Sequence, residues 1–170
     1  GNLVEIRHNT DGNAANDVVY SFEQDALGRQ TAVKVGNQTL SQSAYQNDPT
    51  KPNFGTLIAT TYGNGAKVSS RYDDFNRVMG VVYGEETTPR YEYDYNAKGQ
   101  VARVRDNLLN RTTQSEYDLA NRPVRVKTSE DAKHVYTGQV AYDNVYGNLS
   151  EFTEKVGENR QEYGTKFGYD

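Results

Sequence analysis

The sequence predicts an all-β chain of tandem antiparallel β-hairpins that together form an extended, twisted and curved sheet. Three observations support this prediction. A turn motif recurs about every two dozen residues, the segments beside it alternate with a period of two, and the composition is rich in Tyr and Val. No stretch has the 3.6-residue periodicity that an amphipathic helix requires.

The composition indicates a folded chain with an unusual apolar surface. A mean hydropathy of −0.91 with 35% hydrophobic residues would suit a disordered chain, but the net charge is only −4 and there are 14 Tyr residues. Val, Tyr and Thr favour half-buried strands. The absence of Cys excludes disulfides and thiolate metal sites. The acidic pI, near 5.3, does not indicate a basic surface for nucleic acid. No segment has the apolar length of a membrane span.

The repeat is visible as several segments that align with one another. Four clear copies begin at Arg71, Tyr91, Ser115 and Val140, a fifth at Ser21 has Gln24 where the others have Tyr, and a looser copy near Tyr45 and Asp48 contains Pro49 and Pro52. Similar partial copies occur at both ends of the sequence. We therefore interpret residues 1–170 as one array of about six repeats, cut from a longer chain at both ends.

Each repeat can be understood as a strand, a turn and a second strand. Before the turn, Tyr91, Tyr93 and Tyr95 would lie on one face, with Glu92 and Asp94 on the other. An Asp then ends the strand, because its carboxylate can accept hydrogen bonds from backbone N–H groups about two residues further on. A Gly or Asn follows, and these residue types best tolerate a positive φ.

A single hairpin of this length cannot bury its apolar face alone, so neighbouring repeats must pack side by side. Such packing places the Tyr of each repeat beside the next, and cross-strand aromatic pairs contribute about 0.2–1 kcal/mol each. The scarcity of Leu and Ile fits a single sheet that has no thick core.

These residues together resemble the YD repeat of the Rhs and teneurin families, in which Tyr-Asp is followed by Gly or Asn, then Arg or Gln, then an apolar strand. The resemblance covers essentially the whole chain. The repeat positions that carry it, which we predict to be structural, are Asp25, Gly28, Arg29, Tyr72, Asp73, Asn76, Arg77, Tyr93, Asp94, Gly99, Tyr117, Asp118, Asn121, Arg122, Tyr142, Asp143, Gly147, Tyr169 and Asp170.

The resemblance implies a segment of a spiralling shell. In the family, hairpins lie along a spiralling sheet, and in bacterial polymorphic toxins the shell encloses a C-terminal toxin. The implied function is architectural, in a secreted or cell-surface protein, most simply a bacterial cell wall-associated one. The implied partners are flanking repeats of the same chain and an enclosed toxin domain.

An alternative function is adhesion or carbohydrate binding, because exposed Tyr rows could stack on sugar rings. Catalysis is not expected: His8 and His134 lie in dissimilar contexts, and nothing points to a Ser and an Asp at fixed positions. We likewise expect no metal and no cofactor, since the oxygen-rich loop from Asn9 to Asp17 lacks the Gly and Glu positions of an EF-hand.

Overall fold

The computed structural model describes residues 1–9, 11–131, 133–143, 145–157 and 161–169, without the side chain of His134. The described residues form an all-β structure, which confirms the predicted fold class. The only helical segment among them is a single 3₁₀ turn at Ala14–Asn16. The chain divides into two compact units, Gly1–Pro89 and Arg90–Asp170.

The first unit contains seven strands, and each pairs with the next in antiparallel orientation. They are β1 (Glu5–His8), β2 (Val18–Gln24), β3 (Gln30–Val35), β4 (Gln38–Tyr45), β5 (Leu57–Tyr62), β6 (Lys67–Tyr72) and β7 (Val78–Tyr83). This up-and-down order follows from the short turns, which can join only antiparallel neighbours.

The second unit has the same arrangement of antiparallel neighbours. Its strands are β8 (Tyr91–Tyr95), β9 (Val101–Asp106), β10 (Arg111–Tyr117), β11 (Pro123–Glu130), β12 (Lys133–Tyr142), β13 (Leu149–Val156) and β14 (Tyr163–Lys166). Pro123 opens β11, a position where a strand tolerates proline.

Each unit is a single layer with two distinct faces. Within the described residues, the only hydrophobic side chains that are largely buried are Ala32, 4% exposed, and Val82, 6% exposed. The pairing of Tyr93 with Val104, and of Asp94 with Arg103, confirms the predicted alternation. We call the face that carries the repeat tyrosines the aromatic face, and the opposite face the polar face.

At each repeat turn the pairing register between the two strands shifts by one residue. The shift lies at the residue before the turn, for example at Tyr72, Tyr95 and Tyr117. Such a β-bulge strengthens the local twist and re-aims the side chain at that position. The bulge therefore sets the direction of the repeat tyrosine.

Candidate functional site

The turn aspartate organises each repeat by accepting hydrogen bonds from the backbone that follows it. The Asp25 Oδ1 accepts from the N–H groups of Leu27 at 2.9 Å and Arg29 at 3.0 Å, and its Oδ2 accepts from Arg29 Nε at 2.7 Å. Asp73 repeats this arrangement with Phe75 and Arg77. The carboxylate thus closes the turn and holds the arginine in one orientation.

Asp118 and Arg122 form the third copy of this turn. Asp118 accepts from the Arg122 backbone N–H at 2.9 Å and from its Nε at 2.8 Å. In all three copies the pair is an i,i+4 ion pair with both side chains largely shielded from solvent. Charge-assisted hydrogen bonds of this kind are about twice as strong as neutral ones.

The residue three positions after the turn residue, which is Asn96 in the repeat of Gly99, adopts a left-handed conformation. Its φ is 75° at Gly28, 63° at Asn76, 67° at Asn121 and 82° at Gly99. The N–H of Gly28 donates to the Asp25 carbonyl at 2.9 Å, and that of Asn76 donates to the Asp73 carbonyl at 3.0 Å. The preference for Gly or Asn in the repeat therefore has a conformational cause.

Asp94 is a correction to the sequence prediction, because it does not form a turn. It lies inside β8, on the polar face, and makes an ion pair with Arg103. The turn residue of that repeat is Asn96, whose Oδ1 accepts from the N–H groups of Lys98 and Gln100, each at 3.0 Å. Tyr95, rather than Tyr93, is the tyrosine at the bulge.

With Asn96 in place of Asp94, the turn residues at 25, 73, 96, 118 and 143 each directly follow the tyrosine or Gln24 at a bulge. The last four are 23, 22 and 25 residues apart, and the longest of these intervals contains the long strands β11 and β12. In the looser repeat the residue that directly follows the bulged Tyr45 is Gln46, and residues 46–56 form an extended loop in which Asp48 accepts hydrogen bonds from Thr50. Asp143 closes a turn that is one residue longer than the others.

Asp143 closes its turn without an arginine. Its carboxylate accepts from the backbone N–H groups of four consecutive residues, from Val145 to Asn148, at 2.6–3.2 Å. Gly147 has a φ of 73°. The prediction that this aspartate is a turn former therefore agrees with the geometry.

In four repeats a tyrosine hydroxyl donates a hydrogen bond to the repeat before it. The Tyr45 hydroxyl donates to the Gln30 carbonyl at 2.8 Å, and the Tyr72 hydroxyl donates to the Leu57 carbonyl at 2.7 Å. In the second unit the same bond runs from Tyr117 to Val101 at 2.9 Å and from Tyr142 to Pro123 at 3.0 Å. The acceptor is always the first residue of the strand that follows the preceding turn. We call this bond the tyrosine latch.

The turn arginine completes the junction by stacking on the next tyrosine. The Arg29 guanidinium lies 4.5 Å from the centre of the Tyr45 ring, and that of Arg122 lies 4.0 Å from the centre of the Tyr142 ring. Arg122 also donates to the Gly147 carbonyl at 3.0 Å. Aspartate, arginine and tyrosine therefore form one chain of contacts from turn to turn.

Gln24 makes a hydrogen bond comparable to the latch although it replaces the tyrosine. Its side-chain amide donates to the Leu3 carbonyl at 3.0 Å and accepts from Asn2 Nδ2 at 2.6 Å. Sequence analysis treated Gln24 only as a departure from the motif. Its position directly before a turn aspartate is the signal that could have identified its role.

Hydrogen bonding lowers the pKa of the turn aspartates. The side-chain hydrogen bond from Arg29 is the main reason that the pKa of Asp25 lies below its ordinary value. For Asp118 the main cause is the backbone N–H of Arg122, opposed by partial burial. Burial is the largest influence on Asp73 and raises its pKa, but the hydrogen bonds from Arg77 and Phe75 together outweigh it, so the pKa is lowered.

The remaining candidates do not assemble into a reactive site among the described residues. His8 is an exposed residue of β1, and the His134 side chain lies outside what the structure describes. No group of three metal-ligating side chains occurs there, nor does any helix long and apolar enough to cross a bilayer. Tyr169 is exposed, and Asp170 lies outside the described residues.

The fold and the junction define a class of protein: a tandem β-hairpin array whose units are joined by side-chain contacts to the backbone. No protein-family model and no curated protein matches the chain. Several solved structures do match the chain. The crystal structure of TcdB2-TccC3 is similar with a TM-score of 0.67 and 16% identity over 90% of this chain and 9% of that chain.

Two further structures give the same result. The TcdB2-TccC3-Cdc42 crystal structure matches with a TM-score of 0.66 and 18% identity, over 82% of this chain and 8% of that chain. The Photorhabdus luminescens Tc holotoxin pore with a TccC3 variant matches with a TM-score of 0.58 and 18% identity, over 82% and 7%. The chain thus shares its fold with less than a tenth of these toxin-complex chains.

Proposed function

We propose that this chain is a wall segment of the YD or Rhs type in a secreted or surface-exposed bacterial protein, and that the wall encloses a C-terminal toxin or effector. The role is architectural and does not involve catalysis. The observation that carries the proposal is the tyrosine latch, which recurs from repeat to repeat in both units. The fold shared with TcdB2-TccC3 supports it.

The latch suits a wall because it pairs polar groups of one repeat with polar groups of the neighbouring repeat. Four repeat tyrosines donate their hydroxyl to a backbone carbonyl, and two of their rings lie against an arginine. Stability then accumulates from neighbour to neighbour, so the array can lengthen without a central core. An enclosure needs this property.

The same contacts weaken the carbohydrate-binding alternative. A tyrosine that stacks on a sugar must present a free ring face, whereas the rings of Tyr45 and Tyr142 are covered by Arg29 and Arg122. Half-exposed tyrosines such as Tyr62 and Tyr83 do remain. They do not occupy the repeat position on which the alternative was based.

Limited proteolysis with mass spectrometry of the whole polypeptide that contains this chain tests the enclosure. We expect the repeats to resist cleavage and a C-terminal segment to be protected with them. A variant with Tyr117→Ala and Tyr142→Ala, which opens two latches, should expose that segment. Free cleavage between repeats in the unaltered polypeptide would contradict the enclosure.

A further inference from the structure

The polar face of the second unit carries a straight line of cations. Lys127 on β11 is opposite Gln114 on β10, which is opposite Arg103 on β9. In the other direction Lys127 is opposite Thr137 on β12, which is opposite Lys155 on β13. A cation therefore occurs on every second strand. We call Arg103, Lys127 and Lys155 the cation row.

The spacing of the cation row follows from the sheet. Neighbouring strands lie about 4.8 Å apart, so cations on alternate strands are about 10 Å apart. The residues between them, Gln114 and Thr137, are uncharged. The row is thus a series of separate positive charges with hydrogen-bonding groups between them.

Two members of the row have no ion pair within the residues that the structure describes. These are Lys127 and Lys155, whereas Arg103 is paired with Asp94. Other charged groups on or beside this face include Glu92 opposite Arg105, the Glu116–Arg125 pair at 3.5 Å, Glu151 opposite Lys166, and Glu154 and Glu162 near the two lysines. The two lysines are therefore the cations best placed to receive an external anion.

A depression of about 280 Å³ lies beside these lysines. Arg125, Lys127, Thr137 and Lys155 line it, together with Glu154 and Glu162. The Nε of Arg125 is buried and has no hydrogen-bond acceptor among the described residues. A buried donor without an acceptor is costly, so the depression is a polar site whose donors are not all used.

We propose that the cation row binds an acidic, extended segment of a polypeptide. A chain in the polyproline II conformation has three residues per turn and a rise of about 3.1 Å, so every third side chain lies on one side at intervals of about 9 Å. Acidic side chains at every third position would therefore each lie opposite one cation of the row. The inference goes beyond the proposed function, because it concerns binding by this chain itself, whether or not a wall is closed.

Nucleic acid fits the row less well. The acidic residues on the same face, Asp94, Glu92 and Glu116, would repel a phosphate backbone, whose negative charges follow one another closely. Carboxylates spaced about 10 Å apart place one charge at each cation and fewer charges beside the acidic residues than a phosphate backbone does.

Fluorescence anisotropy with a labelled peptide of four Glu-Pro-Pro triplets tests the proposal on the 170-residue chain at low ionic strength. We expect saturable binding that the Gln-Pro-Pro peptide does not show. Lys127→Gln and Lys155→Gln should each weaken binding about twofold to fivefold, as expected for exposed ion pairs.

Lys34→Gln is the matched control. Lys34 stands nine residues after its turn aspartate, as Lys127 does, but it is paired with Glu23 and belongs to the first unit. It should bind the peptide as the unaltered chain does. Circular dichroism of each variant verifies that the strands are retained. The proposal is overturned if the acidic peptide does not bind, if both lysine variants bind it as before, or if a single-stranded oligonucleotide of equal charge binds more tightly.

Discussion

The two units use the same turn and the same latch, yet their polar faces differ. The informative positions lie seven and nine residues after the turn residue, on the second strand of the hairpin. In the first unit these are Ala32 and Lys34, then Gly80 and Val82; in the second they are Arg103 and Arg105, then Arg125 and Lys127. In these four repeats the equivalent positions are therefore mostly small or apolar in the first unit and cationic in the second, whereas the repeat after Asp143 has Glu151 and Thr153 there.

This difference shows that the residues that determine the hairpin are not the residues that determine the chemistry of its polar face. The turn aspartate, the left-handed residue and the tyrosine latch determine the hairpin and its contact with the previous repeat. The polar-face positions of the second strand take no part in those contacts. They can vary between a close-packed surface, where Ala32 and Val82 are buried, and a charged one.

The largest effect should come from Gly63→Ala, which probes close backbone approach in the first unit. A Cβ at Gly63 would lie 2.4 Å from the Thr39 carbonyl oxygen, and backbone cannot easily move aside. We expect a loss of about 2–3 kcal/mol in the free energy of unfolding, measured by urea titration.

Gly164→Ala in the second unit is its control, because the Cβ would instead meet the Thr153 side chain at 3.1 Å. That side chain can rotate, so the cost should be clearly smaller. Equal losses of unfolding free energy in the two variants would show that the close backbone contact at Gly63 does not distinguish the two sites.

Exchanging the polar-face residues tests the comparison directly. Val82→Lys should destabilise the chain by about 1–2 kcal/mol, because Val82 is only 6% exposed and its burial would be partly lost. Lys127→Val should change the free energy of unfolding by about 0.5 kcal/mol or less. Thermal unfolding of both variants measures the contrast, and equal tolerance at the two positions would contradict it.

The latch should contribute to stability in both units. Tyr45→Phe and Tyr117→Phe each remove one hydroxyl and leave a backbone carbonyl without its donor, at an exposed site for Tyr45 and a part-buried site for Tyr117. We expect each to cost about 1 kcal/mol in the free energy of unfolding, measured by urea titration. Tyr146→Phe, an exposed control with no latch, should have no measurable effect.

The smallest expected effect is a change with pH in the stability difference between the unaltered chain and an aspartate variant. The folded-state pKa values of Asp73 and Asp118 lie below the ordinary value of 3.8, so their stabilising contribution is present above that pH and is lost as the pH falls through the folded-state value. Asp118→Asn should be less stable than the unaltered chain at neutral pH. The gap should narrow below about pH 4 in thermal unfolding followed by circular dichroism. A gap that is independent of pH would exclude the carboxylate as its cause.

The sequence was sufficient to predict the strands, the turns and the alternation of the faces, because these depend on local spacing. It misassigned Asp94 because Tyr93-Asp94 reads as the motif, whereas Tyr95-Asn96 forms the turn. The decisive signal was the distance to the left-handed glycine: Asn96 stands three residues before Gly99, as Asp25 does before Gly28.

The acceptors of the latch could not be predicted in the same way. They are backbone carbonyls, which every residue has, and the choice of Gln30, Val101 or Pro123 depends on the bulge that aims the tyrosine. The ion-pair state of Lys127 and Lys34 likewise depends on which side chain lies across the neighbouring strand. Such features follow from pairing between strands rather than from any one segment.

The latch also implies an order in which the repeats fold during synthesis. Each of the four latches runs from a later tyrosine to a carbonyl that precedes it in the sequence. During synthesis, the acceptor has therefore left the ribosome before its donor. Because, within each unit, every strand after the first also pairs with the one just before it, the unit can fold hairpin by hairpin as it emerges, each finished repeat serving as the template for the next.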